Sequence, residues 1–364
     1  MSDFMRIDLS NFDNRKEEIA QDLMKAASEH GFFYVVNHDI SVQDITAMFE
    51  SSHSFFELPD KVKENYPMDY PRNAGWEKLS QIRPSTGVAD LKESLQLSFH
   101  NASDLRPTDD HVPGFDKTAD TFMEQCNNVS QQLLICFAIG LGFPQDFFTR
   151  CHDITQPDCL NSLRCMRYFE HKNQKQQTKS SNIGACRVGA HTDINTFSLL
   201  FQQPGQDGLE VFHDNVWTPI SPQQGEIVCN VGDMIVRWSD DRLQSKLHRV
   251  RNPNSEQEYQ GPRYALEYIN EANRSVIIQG RTKYTQPITA GEFLMMAMEK
   301  NYKKALLDQN ITITGPLTSV PLVNTLNAVN AGVPASATTA SPASTTSSSA
   351  EEKTPMTPPV LVTV

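Results

Sequence analysis

Between residues 163 and 279 the chain is a series of short apolar, β-branched and aromatic runs with Gly, Pro and Asn between them, and few architectures accept that pattern. The runs cover 163–169, 197–201, 209–212, 226–230, 234–238, 263–269 and 275–278. Short strands punctuated in this way are what a β-sandwich or jelly roll shows. The stretch 171–185 (HKNQKQQTKSSNIGA) interrupts the series and is almost wholly polar. Its composition predicts a flexible loop, either a lid or an inert surface insertion.

The first 150 residues read differently. Residues 6–9 are a short strand candidate, and Asn14 with Glu17 forms a capping pair that would open a helix. Ile19, Leu23 and Ala27 then recur at helical spacing, and Gly31 ends the helix. The run 32–36 (FFYVV) predicts a buried strand, and a helix carrying Ile45, Met48, Phe49 and Phe56 runs from Ser41 to the stop at Pro59. Residues 60–115 look loop-rich. Phe122, Cys126, Val129, Leu133 and Phe137 mark a long helix that ends at Gly140 and Gly142, and residues 292–307 predict another. The expected organisation is an N-terminal α/β elaboration over 1–150, packed as one unit on a jelly-roll core over 151–310. From about Thr318 to 364 the chain is Ser, Thr, Ala, Pro and Val without periodicity, a composition that predicts a disordered tail.

A net charge of −12 repels a phosphate backbone or an anionic membrane surface, so neither is an expected partner. No apolar run reaches the roughly 18 residues of a membrane span. The N-terminus has no basic segment leading into an apolar stretch, so no secretory signal is expected. Seven cysteines form no Cys-x-x-Cys pair, which argues against a disulfide framework or zinc cluster and for a reduced, cytoplasmic setting.

Chemistry concentrates at His191-Thr192-Asp193, at His248, which lies 55 residues beyond Asp193, and at Arg263, fifteen positions further on. On a strand, residues i and i+2 share a side, so His191 and Asp193 would converge while Thr192 faces away. Two imidazoles and one carboxylate can hold one face of a metal ion and leave the other open, the facial triad of non-haem Fe(II) sites. Alone, a His-x-Asp is weak evidence in a chain with ten histidines. His213 sits in His213-Asp214-Asn215, a turn by composition, and is not counted as a ligand.

The surrounding residues resemble a known family. Gly189-Ala190-His191-Thr192-Asp193, Phe197-Ser198-Leu199-Leu200-Phe201-Gln202, Gly208-Leu209-Glu210-Val211, Trp217-Thr218-Pro219-Ile220, Asn230-Val231-Gly232-Asp233-Met234 and the segment 237–250 are similar to the isopenicillin N synthase-like branch of Fe(II)/2-oxoglutarate-dependent dioxygenases. Gly31-Phe32-Phe33-Tyr34-Val35-Val36-Asn37-His38 resembles its N-terminal signature, and Phe55-Phe56-Glu57-Leu58-Pro59 and Lys92-Glu93-Ser94 match as well. The resemblance covers roughly residues 5–305 in the family's order. It implies a jelly roll in which His191, Asp193 and His248 hold Fe(II), with 2-oxoglutarate and O2 as co-substrates and ascorbate as an optional reductant. The implied reaction is hydroxylation, desaturation or ring closure of a small organic molecule, with release of succinate and CO2.

By the same resemblance Arg263 matches the arginine that takes the far carboxylate of 2-oxoglutarate, a role suited to a guanidinium fork. Tyr168 aligns with a tyrosine that helps hold that carboxylate; its alternative is an ordinary core aromatic. Arg167 would be a second anion contact or a solvated side chain. Ile269, Phe197, Trp76 and Arg83 are candidate pocket walls. Two departures stand out: Ala265 replaces the usual serine of Arg-x-Ser, and Asp39 replaces a glycine. Loss of one hydrogen bond to a charged group is worth about 1.5–3 kcal/mol if nothing replaces it. Ala265 therefore keeps open an Fe(II) oxidase that does not use 2-oxoglutarate. A non-catalytic jelly-roll binding protein and a zinc hydrolase are further alternatives. Neither the substrate nor the oligomeric state is legible.

Overall fold

The computed structural model describes residues 4–308 except 84–86, 101 and 171–185, and the side chains of 300–308 lie outside the description. The polar stretch 171–185 and the tail from Thr318 therefore lie outside the described residues. In chain order the elements are β1 (Arg6–Asp8), α1 (Phe12–Glu29), β2 (Phe32–Val36), α2 (Val42–Glu57), α3 (Asp60–Lys63), β3 (Gly75–Lys78), β4 (Lys92–Ser98), α4 (Phe115–Leu141), α5 (Phe147–Cys151) and β5 (Ser162–Tyr168). There follow β6 (Cys186–His191), β7 (Phe197–Gln202), β8 (Leu209–His213), β9 (Val216–Pro219), β10 (Ile227–Val231), α6 (Asp233–Trp238), β11 (His248–Arg251), β12 (Arg263–Asn270) and α7 (Ala290–Asp308).

The strands make an eight-stranded sheet in the order β1-β2-β10-β7-β12-β5-β4-β3 and a four-stranded sheet in the order β6-β11-β8-β9. Alternation along the large sheet separates two cores. Leu163, Cys165, Leu199, Phe201, Cys229, Leu266 and Tyr268 face outward and join the buried faces of α1, α2 and α4 in the principal core. Phe32, Met166, Tyr168, Val228 and Ala265 face inward and meet Val188, Leu209, Val211 and Val250 of the small sheet. Two sheets enclosing an inner cluster are the jelly roll, with the site inside it and the helices behind. All seven cysteines are free thiols.

Several local expectations are corrected. Helix α1 starts at Phe12 with Asn11 as its cap, and Asn14 lies within it, its side-chain amide donating to Asn11 Oδ1 at 2.6 Å. Gly31 ends it with φ of 67°, and a Cβ there would lie 2.2 Å from the Gln244 carbonyl oxygen. The run 234–238, expected as a strand, is helix α6; every residue in it is buried, so no polar alternation distinguishes the two states. Only Ile277–Ile278 of the run 275–278 is strand. The loop-rich region 60–115 holds β3 and β4, which extend the large sheet. Strand β4 escapes notice because Lys92, Glu93, Ser94 and Gln96 are polar, yet all are buried. Asp39 takes the glycine position with φ of 62°, a geometry aspartate tolerates.

Candidate active site

Strand β6 delivers His191 at its last residue, and β11 delivers His248 at its first, directly opposite in register. The imidazole centroids are 4.2 Å apart, and each Nε2 lies 3.6 Å from Asp193 Oδ1. Each Nδ1 is engaged by a backbone carbonyl, His191 by Gly189 at 2.9 Å and His248 by Lys246 at 3.1 Å. A carbonyl can only accept, so both Nδ1 atoms carry the proton and both Nε2 lone pairs face one point. Burial, then the charge of Arg83, holds the His191 imidazole well below its usual pKa, which keeps that lone pair free.

Asp193 converges for a different reason from the expected one. Strand β6 ends at His191, so Asp193 is not two residues along a strand. The loop after it is hung on the start of α6: Asp233 N–H donates to Asp193 O at 2.8 Å, Met234 N–H to Ile194 O at 3.0 Å and Gly232 N–H to Thr196 O at 3.0 Å. A Cβ on Gly232 would lie 2.1 Å from Asn195 O, so this turn requires glycine to close on the loop. Thr192 donates to Asp233 Oδ2 at 3.1 Å. Asn230 Nδ2 at 2.6 Å and Ser198 Oγ at 3.1 Å both donate to Asp193 Oδ2, which leaves Oδ1 for a metal. These three ligand atoms lie within 4.8 Å of one another and form a metal-compatible cluster among the described residues. The donor set, its shared focus and its held second nitrogens fit Fe(II).

The triad opens into a cavity of about 130 Å³ that Tyr168, Arg263, Arg83 and Ile269 also line. Lys92, Tyr168 and Arg263 are neighbours in one row across β4, β5 and β12. Arg263 is fully buried and lies over the Tyr168 ring with its guanidinium carbon 4.8 Å from the centroid. It donates through Nε to Gln206 O at 3.0 Å and through Nη2 to Gln202 Oε1 at 2.5 Å, while Nη1 is buried without a partner among the described residues. Tyr168 donates to the Met166 sulfur at 3.3 Å, a weak acceptor that a ligand oxygen would displace.

Some expected contacts do not join this cavity. Phe197 packs on Phe137 in the outer core, with ring centroids 5.7 Å apart. Trp76 Nε1 and Arg167 Nη1 both donate to buried Glu93, at 2.9 and 3.1 Å, so the half-buried Arg167 pairs with that carboxylate outside the cavity. His213 lies 3.2 Å from His30, away from the triad.

Sequence reasoning missed Lys92, Gln96, Arg164, Glu267 and Glu271, all lining the cavity. The signal was strand alternation. Counting back in twos from Tyr168 reaches Met166 and Arg164, and forward from Arg263 reaches Ala265, Glu267 and Ile269.

Lys92 is 5% exposed, and burial lowers its pKa from 10.5 to about 8. Below pH 8 its ammonium is charged in both folded and unfolded chains, so the whole burial cost weighs on the fold. That cost fades as pH rises through 8 towards 10.5, where the unfolded chain also loses the proton. Lys92→Met should therefore raise Tm on the order of 5 °C at pH 7, from a shift worth about 3 kcal/mol, with the gain shrinking by pH 10. Calorimetric scans at both pH values check this, and a gain that grows with pH would contradict it.

Residues 6–115 match the family model described as non-haem dioxygenase in morphine synthesis N-terminal, and residues 160–271 match that of the 2OG-Fe(II) oxygenase superfamily. A 2-oxoglutarate-Fe(II) type oxidoreductase of Metarhizium majus is 30% identical over 71% of this chain and 80% of its own. A proline hydroxylase of Petromyces alliaceus is 29% identical over 82% and 99%. Among solved structures, a full-length Neurospora crassa protein in complex with alpha-KG superposes with a TM-score of 0.71 at 25% identity, covering 82% of this chain and 97% of that one. The same protein with alpha-KG and thymine gives 0.70 at 26%.

Proposed function

Because the chain belongs to the 2OG-Fe(II) oxygenase superfamily, we propose that His191, Asp193 and His248 are its iron ligands and that Arg263 and Tyr168 hold the far carboxylate of 2-oxoglutarate. The protein is thus an oxidoreductase acting on a small organic molecule. When bound, iron and 2-oxoglutarate together turn O2 into an oxidant for a C–H bond, and the co-substrate leaves as succinate and CO2. The observation that carries the residue assignment is Arg263 Nη1, a buried guanidinium donor without a partner in the cavity that the triad opens into. An orphaned buried charge is costly, and an entering carboxylate relieves it.

The chain's own residues have defined tasks. Gly189 and Lys246 carbonyls fix the imidazole tautomers, Asn230 and Ser198 orient the carboxylate, and the inner apolar cluster excludes water. Residues 1–150 contribute strands β1 to β4 to the large sheet, which supports reading 1–150 and 151–310 as one catalytic unit. The outcome is hydroxylation, desaturation or ring closure of a small molecule, without nucleic acid, in the cytoplasm. No described helix is long and apolar enough to cross a membrane.

Gln202 answers the missing serine. It lies opposite Ala265 in register, and its Oε1 accepts from Arg263 Nη2. Turning the amide over would set two donors against each other, so Nε2 must point elsewhere, and it is buried without a partner. In this reading Gln202 Nε2 donates to the carboxylate in place of the absent hydroxyl. Gln202→Leu should weaken 2-oxoglutarate binding about 10- to 100-fold, as expected for one hydrogen bond to a charged group. Adding Ala265→Ser should restore most of it. Calorimetric titration of 2-oxoglutarate into the anaerobic Mn(II)-loaded protein tests the pair; wild-type affinity in Gln202→Leu would refute the role. The whole reading is tested by succinate formation from Fe(II), 2-oxoglutarate and O2 without substrate.

A further inference from the structure

Strand β12 carries the cavity from one end to the other. Arg263 stands at its start with Lys92 in the same row, so the dianionic co-substrate and the cations that suit it share this end. Glu267 comes next, joined to the iron ligand through Ser198, whose Oγ lies 2.7 Å from Glu267 Oε1 and 3.1 Å from Asp193 Oδ2. Glu271 follows just past the strand, in the same cavity as Ile269 and as Leu294 and Met298 of α7. The Glu267–Glu271 end thus lies beyond the iron ligands from the co-substrate.

Glu271 is 3% exposed, and its Oε2 is buried with no hydrogen-bond partner among the described residues. No ion pair reaches it among the described residues. The guanidiniums that face it are engaged elsewhere, Arg164 with Gln96 Oε1 at 2.7 Å and Arg274 with Pro71 O at 3.3 Å. Burial raises the Glu271 carboxyl to about 8 and also raises that of Glu267, where the nearby Asp193 charge adds to the effect. An incoming anion would meet two carboxyls here. An incoming ammonium would instead give the Glu271 Oε2 the donor it lacks and draw the carboxyl back to its ionised form, while Ile269, Leu294 and Met298 cover a carbon skeleton.

We propose that the substrate is an aliphatic amine, whose protonated nitrogen is received by Glu271 while its carbon frame is presented to the iron. This rests on the oxygenase reading above. The test uses a panel of primary and secondary aliphatic amines and amino acids, each beside the isosteric hydrocarbon or carboxylic acid without nitrogen. Each is titrated calorimetrically into anaerobic protein loaded with Mn(II) and 2-oxoglutarate, and then assayed with Fe(II) and O2 for accelerated succinate release. Amines should bind and accelerate while their nitrogen-free partners do neither. Glu271→Gln should weaken amine binding at least 10-fold, and Glu271→Asp should restore part of it. Equal binding of the nitrogen-free partners, no binding by any amine, or unchanged amine affinity in Glu271→Gln would each overturn the proposal. Slow succinate release by the wild-type protein without any panel compound separates the two claims. Its presence with a failed panel leaves the oxygenase reading standing, and its absence together with no 2-oxoglutarate binding fells both.

Discussion

Asp193→Ala is expected to reduce succinate formation to background, a loss of at least about a thousandfold, with Fe(II) affinity falling sharply while the protein remains folded. Removing one of three ligands leaves two neutral imidazoles, which cannot neutralise a divalent cation or fix its open face. The stability side points the other way. Asp193 crowds the buried carboxyl of Glu267 and helps raise its pKa, so deleting it relieves a like-charge repulsion. The cost is the acceptor lost to Asn230 Nδ2, about 1–3 kcal/mol, because the Ser198 hydroxyl that also donates to Asp193 keeps Glu267 as an acceptor. These terms roughly offset, so circular dichroism and Tm should stay near wild type while anaerobic Fe(II) titration shows the loss. Wild-type iron affinity in the variant would refute the assignment of Asp193.

Arg263→Leu is the second large effect. The side chain is fully buried among Tyr168, Gln202 and Gln206, and its Nη1 has no other partner. Taking away one member of a buried charge pair costs about 3–5 kcal/mol, so 2-oxoglutarate should bind on the order of a hundred- to a few thousandfold more weakly. Without ligand the variant should lose little stability, since the acceptors stranded on Gln206 and Gln202 are offset by removal of a buried charge with a partnerless Nη1. Arg263→Lys should recover only a fraction of the affinity, because an ammonium is a point charge and cannot present the planar fork. Titration of 2-oxoglutarate against both variants, with Tm measured with and without it, separates binding from folding. Unchanged affinity in Arg263→Leu would move the carboxylate site elsewhere, with Lys92 the next candidate.

The candidate site was legible where chemistry is carried by residue type and order. His191, Asp193 and His248 stand out by residue type and spacing, Arg263 and Tyr168 by the resemblance to the family, and the structure brings all five to one cavity. Asp193 converges not through strand alternation but because Gly232 and the α6 backbone, some 40 residues away in the chain, hold its loop. Trp76 and Arg167 misled because an aromatic and a cation near a motif look available, whereas both are consumed by Glu93, a buried carboxylate that no spacing rule connects to them.

The chain by itself determined the class of fold, through short runs that two facing sheets can bury, and the identity of the metal-compatible set, through a motif whose histidines lie on strand ends and whose aspartate follows in the loop. It could not determine what surrounds the open face of that set. Strand β4 looks like loop because Lys92, Ser94 and Gln96 are polar; Lys92 and Gln96 line the cavity, and Ser94 donates to buried Glu77. Whether Met234 to Trp238 coil or extend, and whether Gln202 or Glu271 meets a partner, depends on which strands lie beside them. Neighbours in a sheet are set by long-range pairing, and a one-residue change of register would turn each of those side chains to the other face.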